Sequence, residues 1–258
     1  MSQPVFLGID LGASRTKVAI LDSSKNLIGR AVQNSGTNYT RTAEVCLEAA
    51  LAMAGAGMDD IVAGIGTGYG RSNVPFVGDT KTEIACHGKG CFHYFPHAIS
   101  IIDIGGQDNK IIKLSDAGLR TEFKMNRKCA AGTGAFLEEM SLRLNIPLEA
   151  MNDQAKQSTE MVKLGSYCTV FSGTEVLENI RNGKKVEDIV KGLFFSVIKR
   201  VLEMDSLSEN VVMTGGVVAH NPYLVSMAEE IIGRSIHVPP YPQFSGAIGA
   251  ALFAMNHR

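Results

Sequence analysis

Two aspartates in this chain close apolar runs and are followed at once by glycine: Gly8-Ile9-Asp10-Leu11-Gly12 and Asp103-Ile104-Gly105-Gly106-Gln107-Asp108. Each stands seven residues before a lysine, Asp10 before Lys17 and Asp103 before Lys110. Glycines at Gly12, Gly105 and Gly106 let a turn bring its N–H groups against a phosphate chain. A bare carboxylate would repel that chain, so Asp10 and Asp103 make chemical sense with Mg²⁺ or its waters in between. Ser14, Thr16 and Lys17 could add donors and positive charge. Taken singly, each Asp could simply cap its own turn; the repetition of one pattern favours the paired reading. A third glycine turn, Thr214-Gly215-Gly216, follows the apolar Val211-Val212-Met213 and could let a base or ribose lie on the backbone. Neither a Walker A pattern nor a G-x-G-x-x-G fingerprint occurs.

The five cysteines are too few and too uneven for a disulfide framework. Cys129 and Cys168 each precede a predicted helix, where unpaired N–H groups and the dipole favour a thiolate or an anionic centre. Either alone could be a small packed thiol. Cys46, in Val45-Cys46-Leu47, reads as core, and Cys86-His87-Gly88-Lys89-Gly90-Cys91 has half the ligands of a zinc site with no second cysteine pair to complete it.

The elements that must position these groups repeat. Val5 to Asp10, Thr16 to Leu21 and Leu27 to Val32 read as a three-strand meander followed by a helix from Thr42 to Ala54. About ninety residues on, Ile99 to Ile104, Asn109 to Leu114 and Leu119 to Met125 form a second meander, with a helix from about Thr133 to Leu144. The last third alternates helix and strand: helices Thr169 to Arg181 and Val186 to Met204, strand Asn210 to Thr214, helix Pro222 to Ile232, strand Ser235 to Val238 and helix Gly246 to Met255. This predicts an α/β fold of two duplicated lobes with a cleft between them. The expected division is 1–97 with about 243–258 as the first lobe and 98–242 as the second. The balance of 25 Lys+Arg against 26 Asp+Glu argues against nucleic acid as a partner. No stretch approaches the ~18 apolar residues of a membrane span, and nothing at the start reads as an export signal, so a cytoplasmic protein is expected.

In their order along the chain, the three glycine turns resemble the phosphate 1, phosphate 2 and adenosine loops of the ATPase superfamily of sugar kinases, actin and heat-shock chaperones. The resemblance implies duplicated ribonuclease-H-like lobes with ATP or ADP and Mg²⁺ in the interlobe cleft. A closer one is carried by Thr67-Gly68-Tyr69-Gly70-Arg71, Asp103-Ile104-Gly105-Gly106-Gln107-Asp108, Cys129-Ala130-Ala131-Gly132-Thr133-Gly134, Cys168-Thr169-Val170-Phe171 and Gly246-Ala247-Ile248-Gly249-Ala250-Ala251. These are similar to the activator ATPases of 2-hydroxyacyl-CoA dehydratases, a family that includes benzoyl-CoA reductase ATPase subunits. That resemblance implies an ATP-driven electron donor: a homodimer bridged by one four-iron four-sulfur cluster, with Cys129 and Cys168 as each subunit's ligands. It implies ferredoxin or flavodoxin as electron donor and an iron-sulfur dehydratase or reductase as acceptor. Asp10, Asp103 and Gln107 become the candidate catalytic residues, with Gln107 orienting the attacking water. Gly12, Ala13, Ser14, Thr16, Lys17, Gly105, Gly106, Gly132, Gly134, Gly215, Gly216 and Gln243 become the candidate nucleotide contacts. One departure stands out: after Cys168-Thr169-Val170-Phe171 the family usually continues Ala-Glu-Ser-Glu, whereas this chain has Ser172-Gly173-Thr174-Glu175. The alternatives are a small acid or sugar kinase with structural cysteines, which would be colourless, and a nucleotide sensor that binds ATP without turnover.

Overall fold

The computed structural model describes residues 4–165 and 168–256. Its strands form two five-stranded sheets of one topology. In the first, the meander β1 (Val5–Leu11), β2 (Arg15–Leu21) and β3 (Leu27–Asn34) is extended by β4 (Ile61–Thr67) and β5 (Asp79–Thr80), in the order β3-β2-β1-β4-β5. In the second, β6 (Ile99–Ile104), β7 (Asn109–Leu114) and β8 (Arg120–Asn126) are extended by β9 (Val211–Thr214) and β10 (Ile236–His237), in the order β10-β9-β6-β7-β8. The expected duplicated α/β architecture is therefore the observed one. Strand β1 is buried on both faces, Val5, Leu7, Ile9 and Leu11 on one and Gly8 and Asp10 on the other, which suits a strand that pairs with a parallel neighbour beneath helices.

The chain divides into two compact units, residues 1–99 with 112–122 and 244–258, and residues 100–111 with 123–243. The hairpin segment 112–122 thus clusters with the first unit rather than with the residues on either side of it.

In the first unit, α1 (Tyr39–Ala54) begins at Asn38, whose side chain accepts from the Arg41 N–H, and ends at Gly55 in the left-handed region. Two further helices, α2 (Glu83–Tyr94) and α9 (Ser245–Ala254), pack together, and α9 also packs on β1. Nearly every residue of α9 is buried, and at its glycines and those it packs on main chain meets main chain. A Cβ on Gly249 would overlap the Cys86 carbonyl, one on Gly90 the Ser245 carbonyl, and one on Gly8 the Ala247 carbonyl. Gly249→Ala is expected to cost about 3 kcal/mol, because two main chains would have to part. At this chain length that is a fall of about 6–12 °C in thermal midpoint, read by calorimetry.

In the second unit, α3 (Gly134–Leu144), α4 (Met151–Gln157), α5 (Thr169–Arg181), α6 (Val186–Leu202), α7 (Gly216–His220) and α8 (Pro222–Ile232) surround a large apolar cluster that includes Phe136, Phe194 and Val197. Among the described residues no helix is long and apolar enough to cross a membrane.

Candidate functional site

The seven-residue interval between aspartate and lysine is the length of a hairpin that sets them face to face. Asp10 and Lys17 are cross-strand partners in β1 and β2, and Lys17 Nζ donates to Asp10 Oδ2 at 3.0 Å. In the second unit Lys110 Nζ donates to Asp103 Oδ2, also at 3.0 Å, and to Asp108 Oδ1 at 2.7 Å. Lys110 is 1% exposed and Asp103 2%. Lys110 thus links the carboxylate at the end of β6 to that of the turn after it.

The turns match as well. The Gly12 N–H donates to the Arg15 carbonyl and the Gly105 N–H to the Asp108 carbonyl, three residues on in both copies. Those two N–H groups are committed within their turns. The turn amides with no main-chain partner among the described residues are those of Ala13 and Ser14 in one unit and Gly106 and Gln107 in the other. Behind the first turn, the Thr16 hydroxyl is fully buried on Ser35 Oγ at 3.0 Å, and Ser35 donates to the Gly12 carbonyl at 2.6 Å. Thr16 therefore braces the first turn from behind, while Ser14 and the exposed Ala13 lie at its front; Gln107 is exposed in the turn of the second unit.

Each aspartate also faces a Thr-Gly step at the end of the parallel neighbour strand. Asp10 is in register with Thr67 of β4, and Asp103 with Thr214 of β9. Thr67 donates to the Lys81 carbonyl and Thr214 to the Pro242 carbonyl. Gly68 (φ +89°) and Gly215 (φ +104°) follow, both in the left-handed region that favours glycine. A Cβ on Gly68 would press on Asp10 Oδ1, and one on Gly215 on the Ile104 backbone.

Around Asp10 the cradle is completed by α9 and α2: a Cβ on Gly246 would lie 3.2 Å from Asp10 Oδ2 and 3.0 Å from His87 Nε2. Asp10 Oδ1 is buried with no hydrogen-bond partner among the described residues. A buried carboxylate oxygen left without a donor, in a cradle kept open by glycines, fits a cation or its water.

In the second unit, Gly132 (φ +84°) and Thr133 precede α3, whose first amides cap the phosphate-type turn: Gly134 N–H donates to the Gly105 carbonyl at 2.9 Å and Ala135 N–H to the Gly106 carbonyl at 2.8 Å. Gly216 faces Gln243, whose Nε2 would lie 3.4 Å from a Cβ at that glycine. Gly105, Gly106, Gly134, Gly215, Gly216 and Gln243 thus belong to one unit, as do Gly12, Ala13, Ser14, Thr16 and Lys17 to the other.

Cys168 is exposed at the N-cap of α5 and its carbonyl accepts from the Ser172 N–H at 2.8 Å; Ser166 and Tyr167 before it lie outside the described residues. Cys129 is half-buried and stands four residues before Thr133, the N-cap of α3, so a turn separates it from the helix it was expected to head directly. Two thiols outside the core, one ahead of α3 and one at the N-cap of α5, are soft donors suited to iron and sulfide.

The other three thiols are buried. Burial pushes Cys46 and Cys86 up to about 12. Cys86 and Cys91 face the packing of α2, and no group of three or more Cys, His, Asp or Glu that could hold a metal ion occurs among the described residues. Iodoacetamide at about pH 8 is therefore expected to label Cys129 and Cys168 in metal-free folded protein and to leave Cys46, Cys86 and Cys91 unmodified by peptide mass spectrometry, since those three are buried out of its reach.

His87, Lys110, Thr67 and Asn109 stand at the site without having been assigned a role in it from sequence, although the first three lie in motifs noted above. Asn109 is fully buried beside Gly132, and neither of its amide atoms has a partner among the described residues. For Lys110 the signal was present, in the seven-residue interval itself.

The description BadF/BadG/BcrA/BcrD ATPase family matches residues 7–254. The chain is 40% identical over 251 residues to the activator of lactoyl-CoA dehydratase from Anaerotignum propionicum, with 96% of each chain covered. The crystal structure of (R)-2-hydroxyglutaryl-CoA dehydratase component A from Acidaminococcus fermentans superimposes with a TM-score of 0.93 at 35% identity, covering 98% of both chains. The activator of the 2-hydroxyisocaproyl-CoA dehydratase from Clostridium difficile with bound ADPNP superimposes with a TM-score of 0.92 at 37% identity, covering 98% of this chain and 95% of that one.

Proposed function

The chain belongs to the BadF/BadG/BcrA/BcrD ATPase family, and on that premise we propose that it hydrolyses ATP to drive a low-potential electron onto a partner iron-sulfur dehydratase or reductase. The observation that carries the reading is the pair of hydrogen bonds from Gly134 and Ala135 to the carbonyls of Gly105 and Gly106. They tie the turn proposed to hold phosphate to the helix that follows Cys129, so a rearrangement of that turn moves the chain next to the thiol. The kinase alternative loses its ground, because relatives at 35–40% identity over nearly the whole chain are named as dehydratase activators or components.

In the first unit, Asp10 would hold Mg²⁺ or its waters, Lys17 would balance its charge, and the Ala13 and Ser14 amides would donate to phosphate. In the second unit, Asp103 would hold Mg²⁺ or its waters, the Gly106 amide would donate to phosphate, and Gln107 would orient the attacking water. Gly132, Gly134, Gly215, Gly216 and Gln243 would flank the nucleoside. Bound Mg²⁺ supplies neutralisation of phosphate charge. Cys129 and Cys168 would hold half of a four-iron four-sulfur cluster, which supplies one-electron chemistry. Because such a cluster takes four thiolates and the chain offers two accessible ones, a second copy related by a twofold axis supplies the others. Ferredoxin or flavodoxin is the proposed donor.

Anaerobic iron and sulfide analysis with a visible spectrum tests this. About four iron and four sulfide per two chains, with ATP hydrolysis, are expected. A colourless protein that phosphorylates a small acid or sugar would overturn the reading.

A further inference from the structure

Glycine is the poorest helix former apart from proline, yet Gly173 sits buried in the second turn of α5. What occupies the space of its missing side chain is an arginine from the neighbouring helix: a Cβ on Gly173 would lie 2.6 Å from Arg143 Nε, 2.8 Å from Cζ and 3.0 Å from Cδ. The guanidinium is not loose. Its Nε donates to Glu139 Oε1 at 2.9 Å and its Nη2 lies 2.8 Å from the same oxygen, one turn back along α3. Arg143, about one-third exposed, is thus bonded at its tip to its own helix and lies across Gly173 of the next, where a Cβ would have to displace it.

We propose that Arg143 and Gly173 form a clasp that fixes α5 against α3, and with it the spacing of Cys168 and Cys129, the thiols that precede these two helices. Arg143 is then a positioning residue for the thiol pair. The clasp rests on the cluster reading above only for what it positions; the contact itself does not.

The test is a double-variant cycle on anaerobically purified full-length protein: wild type, Gly173→Ala, Arg143→Ala and the double variant. Alanine for glycine inside a helix ordinarily raises stability. Here the guanidinium has to be displaced, so Gly173→Ala is expected to lower the thermal midpoint by about 2–4 °C. In the Arg143→Ala background no guanidinium lies across Gly173, and the same change should raise the midpoint by about 2–4 °C. Gly173→Ala and Arg143→Ala should each alter the electron paramagnetic resonance signal of the reduced cluster and speed iron loss to a chelator several-fold, which a contact that merely adds stability would not do. A midpoint that rises with Gly173→Ala in both backgrounds refutes the clasp, and an unchanged resonance signal refutes its positioning role. Iron absent from the wild type refutes the cluster reading instead, and the thermal cycle still decides the clasp.

Discussion

Replacing either Cys129 or Cys168 by alanine is expected to give a colourless protein that has lost its iron and dissociates to monomers at concentrations where the wild type is dimeric. Two thiolates per chain provide four in a symmetric pair, so one substitution removes two of four ligands at once. With half its ligands gone the cluster has no stable coordination, and the tether between subunits goes with it. Cys46→Ala is the control: Cys46 is fully buried and its Sγ donates to the Thr16 carbonyl at 3.6 Å, so its loss should change neither iron content nor mass in solution. Iron analysis and sedimentation decide the matter. A Cys168→Ala protein with full iron that remains dimeric would remove Cys168 from the ligand set.

The second large effect is on ATP turnover. Asp10→Asn and Asp103→Asn are each expected to slow it by about 100-fold or more, a loss of about 2.7 kcal/mol of transition-state stabilisation, with the iron retained. The isosteric amide keeps the shape but removes the charge that would hold Mg²⁺. The two variants should differ in what reaches the thiols. In the second unit the Gly105-Gly106 turn is bonded to the first turn of α3, so we expect a chelator to strip iron from the oxidised wild type at clearly different rates with ATP and ADP, and Asp103→Asn to shrink that difference. A ligand shifts an equilibrium only through unequal affinity for its states. Equal stripping rates with ATP, ADP and no nucleotide would leave hydrolysis uncoupled from the cluster, and full ATPase activity in both variants would reduce the aspartates to turn formers.

Much of the second sheet was legible because its elements obey local rules. Ile99–Ile104 is an apolar run and Asn109–Leu114 an isoleucine-centred one, both bounded by turn residues, and the helix Pro222–Ile232 opens on proline and stops at Gly233. What escaped was governed by long-range contact. The α2 helix carries glycines at 88 and 90, a composition that local propensity argues against; Gly90 meets the close approach of α9, some 150 residues away in sequence, and Gly88 faces Leu114 of β7. β4 contains Gly64 and Gly66 for the same kind of reason, each facing Val77 at 3.3 Å from where a Cβ would be.

The candidate site divides along the same line. By itself the sequence determined that there are two aspartate-lysine pairs at one interval, that each aspartate precedes a glycine turn, and that two cysteines precede helices, because these are properties of short segments. Only the tertiary structure decided that each aspartate faces a Thr-Gly step from a strand far along the chain, that His87 and Gly246 stand beside Asp10, and that Thr16 lies behind the turn and not before it. It also set the Arg143 side chain against Gly173. Parallel strand pairing and helix packing bring together residues that no local periodicity relates, since the crossover connections between them carry no record of which residues will meet.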